Sequence, residues 1–289
     1  MKLKYSKVTI NTFEKSKKIK KTDGGIKENS SMSYLLYFLL VVGIFIVLSL
    51  VLRFIFIYQS STYSTSSFSV LVNAKKPFIV SYDKNQKKLT FISLKEINNT
   101  KLKESILLGV PIDGEIKSES MSPEKYLSIG TIASQLFAPW NYRYSDMTIL
   151  DSVKLALFAS SVPSKDVSHL SLFVNSEGER AGVTNEQIYN TFKDSDLLDE
   201  QNSIEIINGT DITGLAGMVG EVLKNAGANI VSIRSSENVV NSTITASKNS
   251  KSMERVTHLL GVPASVDENF VGVSDIRIVL GSDFGKKLK

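Results

Sequence analysis

The 289-residue chain contains no cysteine. Disulfides, thiolate ligands and thiol nucleophiles are therefore excluded. Histidine is nearly as scarce, with His169 and His258 the two in the chain. A zinc site would have to draw most of its ligands from Asp and Glu, so no metal site and no cofactor is expected. Arginine is thin where chemistry on phosphates would need it: residues 59–202 contain Arg143 and Arg180 and no other. Basic charge is also absent from most of the chain. Of the formal net charge of +5, residues 1–32 carry +6 and Arg53 +1, which leaves −2 for residues 59–289. The pI of about 9.1 is thus a property of the N-terminal tail. It gives no ground for a nucleic-acid partner.

What is present begins with one long apolar run. Tyr34 to Leu52 holds nineteen residues without a charge, and Phe54 to Tyr58 continues it beyond Arg53. At 1.5 Å per residue, about 20 residues cross the hydrocarbon layer. Arg53 would snorkel to the headgroups, with Tyr34, Tyr37 and Tyr58 in the interfacial belts. Nine lysines precede the run and no charge lies between Gln59 and Asn73. Lysine asymmetry of this kind places the N-terminus in the cytoplasm and the remainder outside. A cleaved signal peptide would have an apolar core of about 7–15 residues and a small-residue cleavage site. Neither is present, so an uncleaved single-pass anchor in the lipid bilayer is expected.

The expected organisation is a disordered basic tail (1–32), a transmembrane helix (33–58), a Ser/Thr-rich stalk (59–69), a mixed α/β region (70–175), a linker with one short helix (176–202) and a compact C-terminal unit (203–289). In the α/β region, Phe68 to Val72, Phe78 to Tyr82, Leu89 to Leu94 and Val167 to Val174 read as strands, with a hairpin turn at Asp83 to Gln86. Ser122 caps one helix, with Pro123 at its first position, and a second runs near Met147 to Ser160. In the linker, Thr184 and Gln187 form a capping box, with Val183 and Ile188 as a hydrophobic staple. The C-terminal unit reads β-α-β-β-α-β. Its first helix is capped by Thr213, buries Leu215, Val219, Val222 and Leu223, and stops at Gly227. Its second, Ser252 to Leu260, ends at Gly261. The fold class is therefore α/β (α+β), with the C-terminal unit a small sandwich of ferredoxin-like type.

Several separated motifs of the C-terminal unit carry a resemblance. They are the turn Asn208-Gly209-Thr210, the helix start Gly214-Leu215-Ala216, the helix end Ala226-Gly227, and Leu280-Gly281-Ser282-Asp283-Phe284 after the last strand. Together they resemble the LytR C-terminal domain of bacterial envelope proteins. The resemblance implies an extracytoplasmic, cell-envelope role. It makes Asn208, Gly209, Thr210, Gly214, Ser282 and Asp283 the candidate binding residues, with peptidoglycan, a wall glycopolymer or another envelope protein as partner. Such domains often follow a LytR-CpsA-Psr domain, which transfers glycopolymers from polyprenyl-pyrophosphate carriers to peptidoglycan. "PFIVSYDKNQKKLTFISLKEINN" is similar to the opening hairpin of that domain. Its loop, typically Ser-Ile-Pro-Arg-Asp, here reads Ser93-Leu94-Lys95-Glu96, without the proline, arginine and aspartate.

Pyrophosphate transfer calls for forked cations and metal-binding carboxylates. Arg143 with Asp146 and Asp151 could make a minimal site, but acids in the first turn of a helix answer its dipole without any chemistry. Lys84, Lys87, Lys88 and Lys95 could bind phosphate as point charges, although three of them crowd one hairpin turn. Gly209, Gly214 and Gly217 lack the spacing and the Lys-Ser/Thr of a phosphate loop. His258 reads as a solvated residue at a helix end, and Trp140, Phe137 and Tyr142 as aromatic packing rather than a sugar platform. Asn98, Asn208 and Asn241 match the N-glycosylation pattern, and the bacterial origin that the resemblance implies would make all three chance matches. The resulting expectation is a non-catalytic binding or scaffold protein of the envelope. An active phosphotransferase and a sensor using the basic tail are the alternatives.

Overall fold

The computed structural model describes residues 30–59, 66–95, 101–126, 128–174 and 180–288. The expected disordered tail, most of the stalk, Glu96, Asn98 and Asn175 lie outside the described residues. The chain divides into two compact units, Met1–Ile55 and Phe56–Lys289.

The first unit is built on helix α1 (Ser30–Gln59). Its Ser33–Leu52 stretch is 20 residues long and uncharged, and none of it is buried. It is long and apolar enough to cross a membrane.

The second unit contains two sheets. Strands β1 (Ser67–Asn73), β2 (Phe78–Asp83) and β3 (Lys88–Leu94) form an antiparallel meander. After α2 (Lys101–Leu108), β4 (Gly114–Lys117) runs parallel to β1. Helices α3 (Pro123–Tyr126) and α4 (Ile129–Phe137) lead to β5 (Arg143–Ser145) at one edge. Helix α5 (Ile149–Ser161) returns the chain to β6 (Val167–Val174), parallel to β3, and β7 (Arg180–Ala181) closes the other edge. The sheet order is β5-β4-β1-β2-β3-β6-β7. One face packs Val70, Val80, Tyr82 and Phe91 against Tyr126 and Leu155. The other packs Leu71, Ile79 and Ile92 against Leu108, Ile188 and Phe192. The Ser122 helix is shorter than expected. Ser128 accepts the Thr131 amide at 3.2 Å and so starts a second helix.

Two helices, α6 (Asn185–Phe192) and α7 (Ser195–Glu200), follow where a linker with one helix was expected. The Thr184/Gln187 capping box is formed. Ile188 and Phe192 are buried in the first sheet's core and Leu197 in that of the second, so the segment is packed at both ends.

The C-terminal part runs β8 (Ser203–Asn208), α8 (Leu215–Asn225), β9 (Asn229–Ser235), β10 (Thr243–Ala246), α9 (Lys251–Leu260), β11 (Ala264–Val266), β12 (Ile276–Leu280) and α10 (Ser282–Lys287). It is an α/β sandwich with sheet order β11-β10-β12-β8-β9. Val219, Leu223, Val256 and Leu260 pack on Ile204, Ile206, Ile244 and Ile278. A ferredoxin-like sheet is built on a split β-α-β, with a strand between the two that the helix joins. Here β8 and β9 pair directly and in parallel across α8, and β12 lies on the other side of β8. The helix start also differs from expectation. Gly214, at φ +80, is the N-cap of α8 in place of Thr213, because the chain enters the helix through a left-handed turn that glycine adopts without strain. Gly227, at φ +97, ends it as expected, with the Ala228 amide reaching back to Leu223 O at 2.9 Å.

Candidate functional site

The six candidate residues of the C-terminal part gather at one end of its sheet, at the C-terminal ends of the neighbouring interior strands β8 and β12. Asn208 accepts from the Thr210 amide (3.1 Å) and hydroxyl (2.7 Å) and donates to Ile212 O (2.9 Å). The Gly209 amide donates to Leu280 O at 2.9 Å. A Cβ at Gly209 would meet Val239 Cγ2 at 2.6 Å, so this glycine is a close-packing position. The 239–240 backbone fastens the second motif, accepting from the Ser282 and Asp283 amides. Asp283 Oδ1 accepts from the Ser242 hydroxyl (2.6 Å), the Ser242 amide and the Phe284 amide. Burial raises the Asp283 carboxyl, but these donors outweigh it and hold it below the usual range. The structure thus brings Asn208, Gly209, Thr210, Ser282 and Asp283 into one knot, with Gly214 at the adjoining helix start. Most of their polar groups are spent on hydrogen bonds to one another or to the neighbouring Ile212, Val239, Val240, Ser242, Leu280 and Phe284.

A second constellation escaped the sequence reading. Arg255 of α9 reaches out of the C-terminal part with its side chain only 2% exposed. Its Nη1 pairs with Asp113 Oδ1, its Nη2 donates to Asp113 Oδ2 at 3.2 Å, and its Nε lies 2.9 Å from Asp194 Oδ2. Asp113 precedes β4 and also accepts from the Ser69 amide at 2.7 Å. Asp194 caps α7 and accepts from the Asp196 amide at 2.9 Å. Burial opposes ionisation of Asp113, yet Arg255 holds its carboxyl below the usual range. Burial pushes Asp194, the second carboxyl on the same guanidinium, above it. His258 was expected in solvent. Instead its Nε2 is buried 3.6 Å from Asp113 Oδ1, and burial lowers its pKa. Asn225 Nδ2 donates to Gly109 O at 2.6 Å across the same seam. This is a buried ionic joint between the two sheets. The sequence signal for it was a pair of carboxylates, Asp113 and Glu115, set among the apolar residues of Val110–Ile116.

The residues weighed for phosphate chemistry do not share a role. Arg143 is exposed on β5. Asp146, at φ +56, sits before α5 and pairs with Lys101 at 2.9 Å. Asp151 is fully buried at the N3 position of a capping box with Thr148. Lys95 lies over the Phe173 ring at 4.6 Å. Lys84 has its pKa lowered by burial, with Lys154 adding to the effect. Lys88 lines a polar cleft of about 580 Å³ with Asp83, Thr90 and Glu186. Trp140, expected to pack, is 77% exposed, while Tyr142 is tied to Ser134 through its hydroxyl. The Phe137 side chain lies outside the described residues. Among the described residues, no three His, Asp or Glu side chains are placed to hold a metal ion.

Residues 201–284 match the family model described as LytR cell envelope-related transcriptional attenuator. The C-terminal part is a LytR C-terminal domain. The match encloses the Asn208–Thr210 turn, Gly214, Ser282 and Asp283, and it supports a cell-envelope role. Solved structures similar to the chain include the Lin1025 protein of Listeria innocua (14% identity, 41% of this chain and 90% of that one, TM-score 0.27). Others are Lmo1026 of Listeria monocytogenes, described as a transcriptional factor (17%, 37% and 82%, 0.24), and ywtF of Bacillus subtilis, described as a transcriptional regulator (12%, 57% and 92%, 0.28). No curated protein matches the chain. The LytR C-terminal domain accounts for less than a third of the sequence, and the seven-stranded sheet lies outside the match.

Proposed function

We propose that the protein is a membrane-anchored scaffold of the cell envelope, with its N-terminus in the cytoplasm and its LytR C-terminal domain outside, bound to wall glycan or to another envelope protein. The match over residues 201–284 carries this reading. The long apolar helix at Ser33–Leu52, preceded by lysines, supports the anchor and its orientation. A non-catalytic role is supported by the way the middle region spends its polar groups. Asp151 is consumed by a helix cap, Asp146 by Lys101, and Asp113 and Asp194 by Arg255. Arg143 is exposed on β5 opposite Lys117, and among the described residues no second arginine joins it in a phosphate clamp.

Co-sedimentation of the full-length protein, in detergent, with purified peptidoglycan sacculi tests the reading. Retention on sacculi, with or without attached polymer, is expected. A protein that stays in the supernatant under both conditions contradicts wall binding.

A further inference from the structure

The five-stranded sheet buries one face under α8 and α9, and on its opposite face two arginines hold one glutamate. Glu205 of β8 is 2% exposed. Arg234 of β9 donates from Nε to its Oε1 at 2.7 Å, and Arg277 of β12 donates from Nε to its Oε2 at 2.8 Å. The hydrogen bond from Arg234 holds the Glu205 carboxyl below its usual range, so the centre of the triad is an anion. One bidentate arginine would satisfy that carboxylate. The second leaves the cluster with an excess positive charge. Each arginine spends only its Nε on Glu205, and the terminal Nη groups of both have no hydrogen-bonding partner among the described residues. They are also within reach of solvent: the Arg234 side chain is 51% exposed and that of Arg277 29%.

The surroundings fix this geometry. The Arg277 guanidinium lies 4.9 Å from the centre of the Phe270 ring. A Cβ at Gly272 would fall 3.0 Å from Arg277 Nη2, so glycine there lets the loop close against the arginine. Strand register places Thr245, Arg277, Glu205 and Ser232 in one row across the sheet, which adds two hydroxyls beside the charges. Pre-positioned guanidinium forks with spare donors recognise oxyanions.

We propose that Arg234 and Arg277, held by Glu205, form an oxyanion-binding site for the repeated phosphate or carboxylate groups of a wall glycopolymer. The proposal rests on the envelope reading above and deepens it, moving the contact from the Asn208 knot to the open sheet face. In this scheme Glu205 is a positioning residue and the arginines touch the ligand.

The test is titration of the full-length protein in detergent with two probes, a glycerol phosphate oligomer and a polygalacturonate oligomer. Uncharged dextran of similar length serves as reference. Binding to at least one polyanion and none to dextran is expected. Arg234→Gln and Arg277→Gln should each weaken it about fivefold or more. Arg234→Gln leaves Arg277 to neutralise Glu205, so its denaturation midpoint should stay near that of the parent. If it does not, Arg234→Lys, which keeps the charge and loses the fork, should still weaken binding. Lys251→Ala removes a remote exposed cation and should leave binding unchanged. Polyanion binding that survives both arginine substitutions, or that falls equally with Lys251→Ala, overturns the site, as does no binding to either probe. Preferred binding of one probe names the phosphate or the carboxylate. Sacculus retention unchanged in the double arginine variant would overturn this site and leave the envelope reading standing; absence of retention of the parent protein would remove the wall-binding reading itself.

Discussion

The two sheets of the larger unit bury themselves differently. The seven-stranded sheet is a middle layer, with β1 buried at six of its seven positions and helices on both faces. The five-stranded sheet is half of a two-layer sandwich, and β12 alternates strictly between buried and half-buried positions. A sheet covered on both faces offers little side-chain chemistry to a partner. A sheet covered on one face has a second side to use, and here that side carries Arg234, Glu205 and Arg277. The sheets are joined by apolar side chains, with Ile106 and Leu197 buried in the second core, and by a buried ion triad, in which the two carboxylates come from outside the LytR C-terminal domain and the guanidinium from within it.

That joint is where the contrast between the sheets can be broken most sharply. Arg255→Ala leaves Asp113 and Asp194 buried and unpaired, and should cost about 3–5 kcal/mol. Chemical denaturation of the parent and variant measures it. A separation of one transition into two, with the C-terminal domain the more stable, would show that the triad couples the sheets. Next in size is Leu223→Ala, which removes a fully buried side chain from the α8–sheet core. A loss of about 2–5 kcal/mol is expected. A change near zero would mean that α8 is not held by this face. Gly281→Ala comes third. Its Cβ would fall 2.7 Å from the Asn241 carbonyl carbon, so the 240–241 backbone must move. A loss of about 1–3 kcal/mol is expected from overpacking, read from the same denaturation curves.

Acid should loosen the joint in two steps. His258 has its folded pKa lowered by burial, so the folded state takes up this proton less readily than the unfolded chain. Its contribution is present above the unfolded value of about 6.5 and is lost as pH falls through the folded value. Asp113 is likewise depressed, so its contribution is present above the unfolded value of about 3.9 and is lost at lower pH. Stability measured from pH 8 to pH 3 should therefore fall below about 6.5 and again in the carboxylate range. His258→Asn should flatten the first step and Asp113→Asn the second. Asp194, raised by burial, acts in the opposite sense and should blunt the second step without removing it. The smallest effect is expected from Lys251→Ala, which breaks an exposed ion pair with Asp196 and should leave the denaturation midpoint unmoved.

The same difference between the sheets explains what the sequence made legible. In the C-terminal domain, residues such as Ile276, Ile278 and Leu280 alternate, helices stop at Gly227 and Gly261, and the elements could be placed from period and punctuation. What failed there was the strand order, since neither period nor turn residues say that β8 and β9 pair directly. In the middle region, the doubly covered strands β1 to β3 read correctly as short apolar runs. The helix α2 did not, because Lys101, Glu104 and Ser105 are buried on it and blur its apolar face. The six candidate residues were found as motifs, and the structure explains them as a hydrogen-bonded knot rather than an open site. The Arg255 joint and the Arg234–Arg277 pair were missed for a different reason. Their partners lie 29 to 142 positions apart, and each arginine by itself looks like an ordinary surface residue.

The central claim is that the middle region supports and the C-terminal domain binds, with no glycopolymer transfer between them. It is tested most directly by incubating the full-length protein with a polyprenyl-pyrophosphate-linked glycan, peptidoglycan and magnesium, and measuring released polyprenyl phosphate. The account predicts none above the protein-free rate. Release that is abolished by Arg143→Ala, in a variant with an unchanged denaturation midpoint, would contradict it.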